Sequence, residues 1–364
     1  MLELDLAQTH LERDGAKAAA IAAAAAERAR ATGDETGESL ARVGTAFYRF
    51  HLPAHPTVDE LERLARKVLP PLEQAENHGG LVHAWHALGA VANFRGRFED
   101  WAHASEQALR HARLAGQRNS QLFRLDAALA FGPRPADEAL RALDALLPEN
   151  PHPRLLLSRA WLLTMLARFD EAARIAREAG ERWRELTGDD WVDVSLGYIA
   201  ATAGRHEDAA THLRRFCDLL EARGLRAYLS SYAPLLGRSL CALGRHEEAE
   251  PLARLGRELG DEQDAMTQAL WRQVQALVHA RRGHHTQAEQ LAREAVAITE
   301  RTDGLNWQGD ALCDLAEVLH AAGRSDEAAA AFAQALERYQ QKNNLAMAAQ
   351  VRERLAELRA AAPG

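Results

Sequence analysis

The sequence contains sixteen histidines, the side chain that most readily ligates a metal or shuttles a proton near neutral pH. His83 and His86 stand three apart and can share one helix face, and His284 and His285 are adjacent. His206 and His246 recur in the same local context. None belongs to an HExxH pair or to a Cys/His set with zinc-finger spacing. Cys217, Cys241 and Cys313 are separated by 24 and 72 residues with no CxxC, which fits small buried residues in a reducing compartment. Gly37-Glu38-Ser39-Leu40-Ala41 approaches a nucleophile elbow, but the final glycine is missing and no strand precedes it. There is no Gly-Lys pair and no GxGxxG, so no loop of this kind cradles a nucleotide phosphate. His78-Gly79-Gly80 reads as a helix–helix loop. The carboxylate pairs Asp189–Asp190 and Glu247–Glu248 suit a helix N-terminus, where they complement the dipole, better than acid–base work. The reading is a non-enzyme with no catalytic residue, no metal and no cofactor.

The elements that carry these residues repeat. One phrase recurs: small residue, Arg, any residue, acid, acid, Ala. It is complete at Gly204–Ala209, Gly244–Ala249 and Gly323–Ala328. Weaker copies are Ala167–Ala172, Gly96–Trp101 and Gly283–Ala288, and a degenerate one ends at Ala139. The closing residues fall at 101, 139, 172, 209, 249, 288 and 328, spaced by 33 to 40, and Leu61 extends the series by 40. Glycine suits the turn after one helix, and the acids suit the first turn of the next. Ala328, Phe332 and Ala335 then follow helical periodicity. Twelve residues before the anchors stand Gly89, Ala127, Ala160, Gly197, Gly237, Ala276 and Ala316, all small, as a close helix–helix contact requires. The expected fold is all-α: a right-handed α-solenoid of about eight to nine hairpins of ~40 residues each.

A single array over 1–364 is expected, with an irregularity at 132–153 where five of the twelve prolines fall and the second helix must be short. A lengthened turn is expected at 51–57. Residues 344–360 read as a capping helix, and Ala16–Arg30 as the second helix of a partial repeat. Leu2–Leu6 starts directly in a helical pattern, which suggests a longer array or a further domain packing there.

Trp85-x-x-Leu88-Gly89 resembles the opening of the tetratricopeptide signature, and Gly323–Ala335 its second half. The whole chain resembles the C-terminal tetratricopeptide region of bacterial, actinobacterial-type signalling proteins that join a class III nucleotide cyclase to a STAND/AAA-type ATPase. The segments that carry the likeness are Leu81–Arg97, Phe131–Ala139, Ala288–Asp303, Asp310–Ala322 and Ala335–Leu358. The resemblance implies a sensor or scaffold arm. Its partners would be a protein, a peptide, or ATPase and cyclase domains outside this chain.

In tetratricopeptide arrays the first helices line the concave face. The register then places His83, His86, Asn93, Arg124, Trp161, Trp191, Tyr198, Arg238 and Gln273 along a groove for a ligand or partner. Trp161, Trp191 and Tyr198 would form one aromatic patch, and aromatic and Arg side chains are the usual anchors of recognition. The same rings could instead be core between repeats. The function read from this is a protein–protein interaction or regulatory module; the alternative is a sensor that binds a small inducer in the groove. Lys+Arg 44 against Asp+Glu 52 gives a net charge of −8, which argues against nucleic acid. Arg214–Arg215 and Arg281–Arg282 read as solvated helix faces. No run approaches a membrane span and no signal peptide is recognisable, so a cytoplasmic location is expected.

Overall fold

A computed structural model describes residues 2–10, 15–49, 57–117, 124–188 and 191–361. Among them there are helices, turns and loops but no strand. The described residues gather into two compact units, one of residues 1–128 with 225–227 and one of 129–224 with 228–364.

The first part of the chain forms α1 (Leu2–His10), α2 (Gly15–Thr32), α3 (Glu35–Arg49), α4 (Val58–Gln74), α5 (His78–Phe94), α6 (Phe98–Leu114) and α7 (Leu125–Phe131). There follow α8 (Ala136–Leu146), α9 (Pro153–Met165), α10 (Phe169–Thr187), α11 (Val192–Thr202), α12 (His206–Ala222) and α13 (Arg226–Ala242). The last are α14 (His246–Leu259), α15 (Ala265–Arg281), α16 (His285–Thr299), α17 (Leu305–Ala321), α18 (Ser325–Gln341) and α19 (Leu345–Ala361). The recurring phrase joins α5 to α6, α9 to α10, and so on to α17 and α18. Residues 51–56 of the long turn expected at 51–57, and the pair Asp189–Asp190, lie outside the described residues.

The phrase works through one backbone device. Gly96, Gly204, Gly244, Gly283 and Gly323 all take φ between +64° and +78°. The next residue's N–H then reaches back five residues: Arg97 to Ala92, Arg205 to Ala200, Arg245 to Leu240 and Arg324 to Leu319, at 2.9–3.0 Å. This is the Schellman closure, and it pairs carbonyls that the helix end would leave bare. From α5–α6 onward every such turn has three residues except that of α7–α8, which has four, whereas the fully described loops between these hairpins run from three residues (α12–α13) to six (α8–α9). Ala167 holds the same position with φ +58° and a Cβ. A left-handed alanine carries roughly 1–2 kcal/mol of strain, while glycine loosens the unfolded chain. Ala167→Gly is therefore expected to raise stability by about 0.5–1 kcal/mol, read as a higher urea midpoint with an unchanged slope.

The phrase's arginine bridges hairpins. Arg245 binds Glu248 of its own helix at 2.6 Å and Glu207 of the preceding hairpin at 3.4 Å. Arg324 does the same with Glu327 and Glu289. These pairs are largely exposed, so solvent screening leaves them little weight in stability.

The anchors Leu61, Ala139, Ala172, Ala209, Ala249, Ala288 and Ala328 are fully buried, and Trp101 nearly so. Opposite them, a side chain begun at Gly197 would lie 2.8 Å from Leu213 Cγ, and one at Gly89 would lie 3.0 Å from Trp101. Ala127, Ala160, Ala276 and Ala316 are fully buried at the same register. The small residues are thus the points where paired helices touch. In the 132–153 stretch, Pro135 precedes α8, Pro153 starts α9, and α8 is indeed short. Other prolines behave differently: Pro70 and Pro71 lie inside α4, Pro234 inside α13 and Pro251 inside α14. Val351, Leu355 and Leu358 of α19 join the core formed by α15 to α18.

Candidate partner-binding surface

The nine residues expected to line a groove divide between the two units. His83, His86, Asn93 and Arg124 lie in the first. His83 Nε2 is 3.1 Å from Asp5 Oδ1 on α1, and this bond, against burial, holds the Asp5 carboxyl below its usual range. The His86 ring packs on Phe47 of α3 at 4.8 Å. Asn93 is half-buried in the last turn of α5, and Arg124 lies over the Trp101 ring at 6.0 Å. The first-unit histidines are therefore engaged with neighbouring helices.

Trp161, Tyr198, Arg238 and Gln273 lie in the second unit. The Trp161 and Tyr198 rings are 6.3 Å apart, and Trp161 Nε1 donates to Ser195 Oγ at 3.0 Å. Phe131 extends the run, 5.2 Å from Trp161 and 6.4 Å from Trp307. Four half-buried rings from α7, α9, α11 and α17 thus form a strip. Trp191 does not join it. It sits at the start of α11, two turns from Tyr198, and packs on Phe216 at 5.2 Å, Tyr228 at 5.6 Å and Trp183 at 6.2 Å. The single patch of Trp161, Trp191 and Tyr198 expected from the sequence is in fact two clusters.

Beside the strip lies a charged network. Arg238 Nε donates to Asp314 Oδ2 at 3.0 Å, and Nη1 lies 3.3 Å from Asp310 Oδ2. Gln273 Nε2 donates to the same Asp314 oxygen at 2.9 Å, and the Tyr339 hydroxyl donates to Asp310 Oδ1 at 2.6 Å. Burial works against the Arg238 charge, but Asp314 and Asp310 outweigh it and hold the guanidinium protonated. For Asp314 burial wins, aided by Asp310 and opposed by Arg238, and the carboxyl is pushed up to about 6. Burial and then Asp310 raise the Tyr198 phenol well above its ordinary range. Burial and then Arg238 pull the His206 imidazole below its ordinary range. So three α-helices, α13, α15 and α17, are tied across their first-helix faces by one cation and two acids.

Phe131, Trp307, Asp310, Asp314 and Tyr339 are not among the nine. The register could have named Asp310, which stands six residues before the small residue of its hairpin, as His83 and Trp191 do in theirs. Likewise Glu317 follows its small residue directly, as Trp161, Tyr198 and Arg238 do, and it is held by Arg354 at 2.8 Å. Among the described residues no three His, Cys, Asp or Glu side chains are grouped to hold a metal ion, and no helix is long and apolar enough to cross a membrane.

The tetratricopeptide repeat family matches residues 266–341, which covers α15 to α18. No curated protein matches the chain. Among solved structures the chain is similar to one chain of the APC/C hetero-tetramer Cut9–Hcn1. The identity there is 16% and the TM-score 0.62, over 90% of this chain and 59% of that one. It is also similar to yeast Tom70, with 15% identity and a TM-score of 0.50, over 90% of this chain and 68% of that one. At such identities the likeness is one of fold: this is an all-α, tetratricopeptide-like solenoid. The chain spans about three-fifths of the first of these relatives.

Proposed function

We propose that the chain is a non-catalytic interaction module and that the first-helix face of its second unit receives a protein or peptide segment. The observation that carries this is the strip of four half-buried rings, Phe131, Trp161, Tyr198 and Trp307, drawn from four helices. Half-buried aromatic rings offer large contact area at little entropic cost, and such residues dominate binding energy where they occur. The fold relative Cut9–Hcn1 is itself an assembly of two proteins, which supports the same class of role. The resemblance to cyclase–ATPase signalling proteins supports a more specific partner, the catalytic domains of such a protein.

The test compares Trp161→Ala with Trp191→Ala in binding to the ATPase domain of such a protein, with melting curves as a fold control. Trp161→Ala is expected to weaken binding about 10–100-fold, the range of a hot-spot truncation, and Trp191→Ala by less than about threefold. Equal losses would assign the effect to folding rather than to the strip. A metabolite that stabilises the protein in a thermal-shift screen, with no binding to these domains, would replace this reading by the small-inducer one.

A further inference from the structure

In a solenoid each hairpin normally touches only its sequence neighbours. The second unit departs from this at its two ends. Lys342, in the turn between α18 and α19, is fully buried. Its Nζ donates to the carbonyls of Gly132 at 2.6 Å, Arg134 at 2.8 Å and Leu129 at 3.4 Å. Its own carbonyl accepts from the Ala136 N–H at 2.7 Å. Next to it, Asn343 Nδ2 donates to Asp137 Oδ1 at 2.7 Å. One turn into α19, Gln350 Nε2 donates to the carbonyl of Thr202, at the end of α11, at 2.6 Å. Asn306 of α17 lies 3.5 Å from Met165 Sδ of α9. All of these contacts join residues more than 140 positions apart.

The seam is polar. A buried ammonium is costly, and here three carbonyls replace its water. Burial and then Arg134 pull its pKa down to about 7, with Asp303 opposing. Polar groups regain water when they part, so such a seam separates at a smaller net cost than an apolar one of equal area. The Phe131–Trp307 ring pair spans the same seam, one ring from each side.

We propose that Lys342, Asn343 and the first turns of α19 form an intramolecular latch between the last and first hairpins of this unit, and that its release frees the Phe131 and Trp307 ring faces for a partner. The second half of this rests on the strip being the binding surface; the first half does not.

Lys342→Met keeps the length of the side chain but removes the ammonium. Amide hydrogen exchange in the full chain is expected to quicken about tenfold or more at Ala136 and across 129–137, with α13 to α16 unchanged, because only a local opening is eased. Asn343→Gly is the second variant. Asn343 has φ +55°, which glycine adopts freely, so the turn is preserved and only the bond to Asp137 is lost. It should quicken exchange at Ala136 about threefold. Exchange that stays at the native rate in both variants would overturn the latch. So would quickening spread evenly over the whole unit, which would make Lys342 an ordinary core residue. If the latch opens, affinity for the ATPase domain should rise about three- to tenfold, since less energy goes into opening. An unchanged affinity, with Trp161→Ala still weakening binding, would overturn the gating. Affinity insensitive both to the latch and to Trp161→Ala would instead sink the strip as the binding surface.

Discussion

Arg238→Ala is expected to lower the unfolding free energy by about 3–5 kcal/mol at neutral pH, the usual cost of stripping one partner from a buried ion pair. The arginine holds Asp314 and Asp310 at 3.0 and 3.3 Å, and all three side chains are mostly buried. Without it two carboxylates face each other with little water. The pH dependence gives the mechanism away. Asp314 titrates near 6 in the native protein, above the 3.8 of a free aspartate, so its protonated form favours the fold. That contribution is complete below pH 3.8 and is lost as pH rises through about 6. Deleting the cation enlarges the loss, so the deficit of the variant should shrink markedly at about pH 4.5. Adding Asp314→Asn should recover roughly half of it at neutral pH, because Gln273 still finds an acceptor and one charge is gone. Urea titrations of the three proteins at the two pH values decide this. A deficit independent of pH and of Asp314 would mean that Arg238 acts through the packing of its methylene stem.

Gly256→Ala should cost about 2–3 kcal/mol, although alanine is the better helix former by ~1 kcal/mol. Gly256 sits where α14 crosses α13. A Cβ there would lie 2.3 Å from Pro234 Cγ and 2.8 Å from the Ser230 carbonyl oxygen. The two facts are linked. Pro234 has no N–H, so the Ser230 carbonyl loses its helical donor and its ring bulges from the helix. Only a residue without a side chain lets α14 approach there. Gly237 offers the control: a Cβ there would lie 3.1 and 3.3 Å from the two Cγ atoms of Val274 and 3.5 Å from the Ala249 carbonyl oxygen, which a shift of a few tenths of an ångström relieves. Gly237→Ala should therefore change stability by less than about 1 kcal/mol. Similar denaturation midpoints for the two variants would contradict the close approach at Gly256.

The repeat was legible because each hairpin needs the same three things: a left-handed turn, a small contact residue and a buried anchor. Gly204, Gly197 and Ala209 supply them in one hairpin, and their spacing recurs. The register also put Trp161, Tyr198, Arg238 and Gln273 on one face; the two rings pack together, and Arg238 and Gln273 share Asp314. What it could not give depends on contacts distant in sequence. Lys342 follows Gln340 and Gln341 and precedes two asparagines, so it reads as solvated surface, yet it is fully buried by residues some 210 positions away. Trp191 shares its register position with Asp310, but at the first residue before α11 it meets Trp183 and Phe216 rather than the strip. Pro234 reads as a helix breaker, and only the glycine of the crossing helix makes it tolerable.

The recurrence of the three-residue turn, in every hairpin from α5 onward but α7–α8, has a consequence for how such a chain can change. One extra residue there would rotate the second helix of a hairpin by about 100° and turn its anchor outward. The connections between hairpins already differ in length, so growth and trimming can be absorbed at that edge while the opposite edge stays fixed. Duplication of a whole hairpin copies the rigid edge intact and leaves the pliant one to adjust.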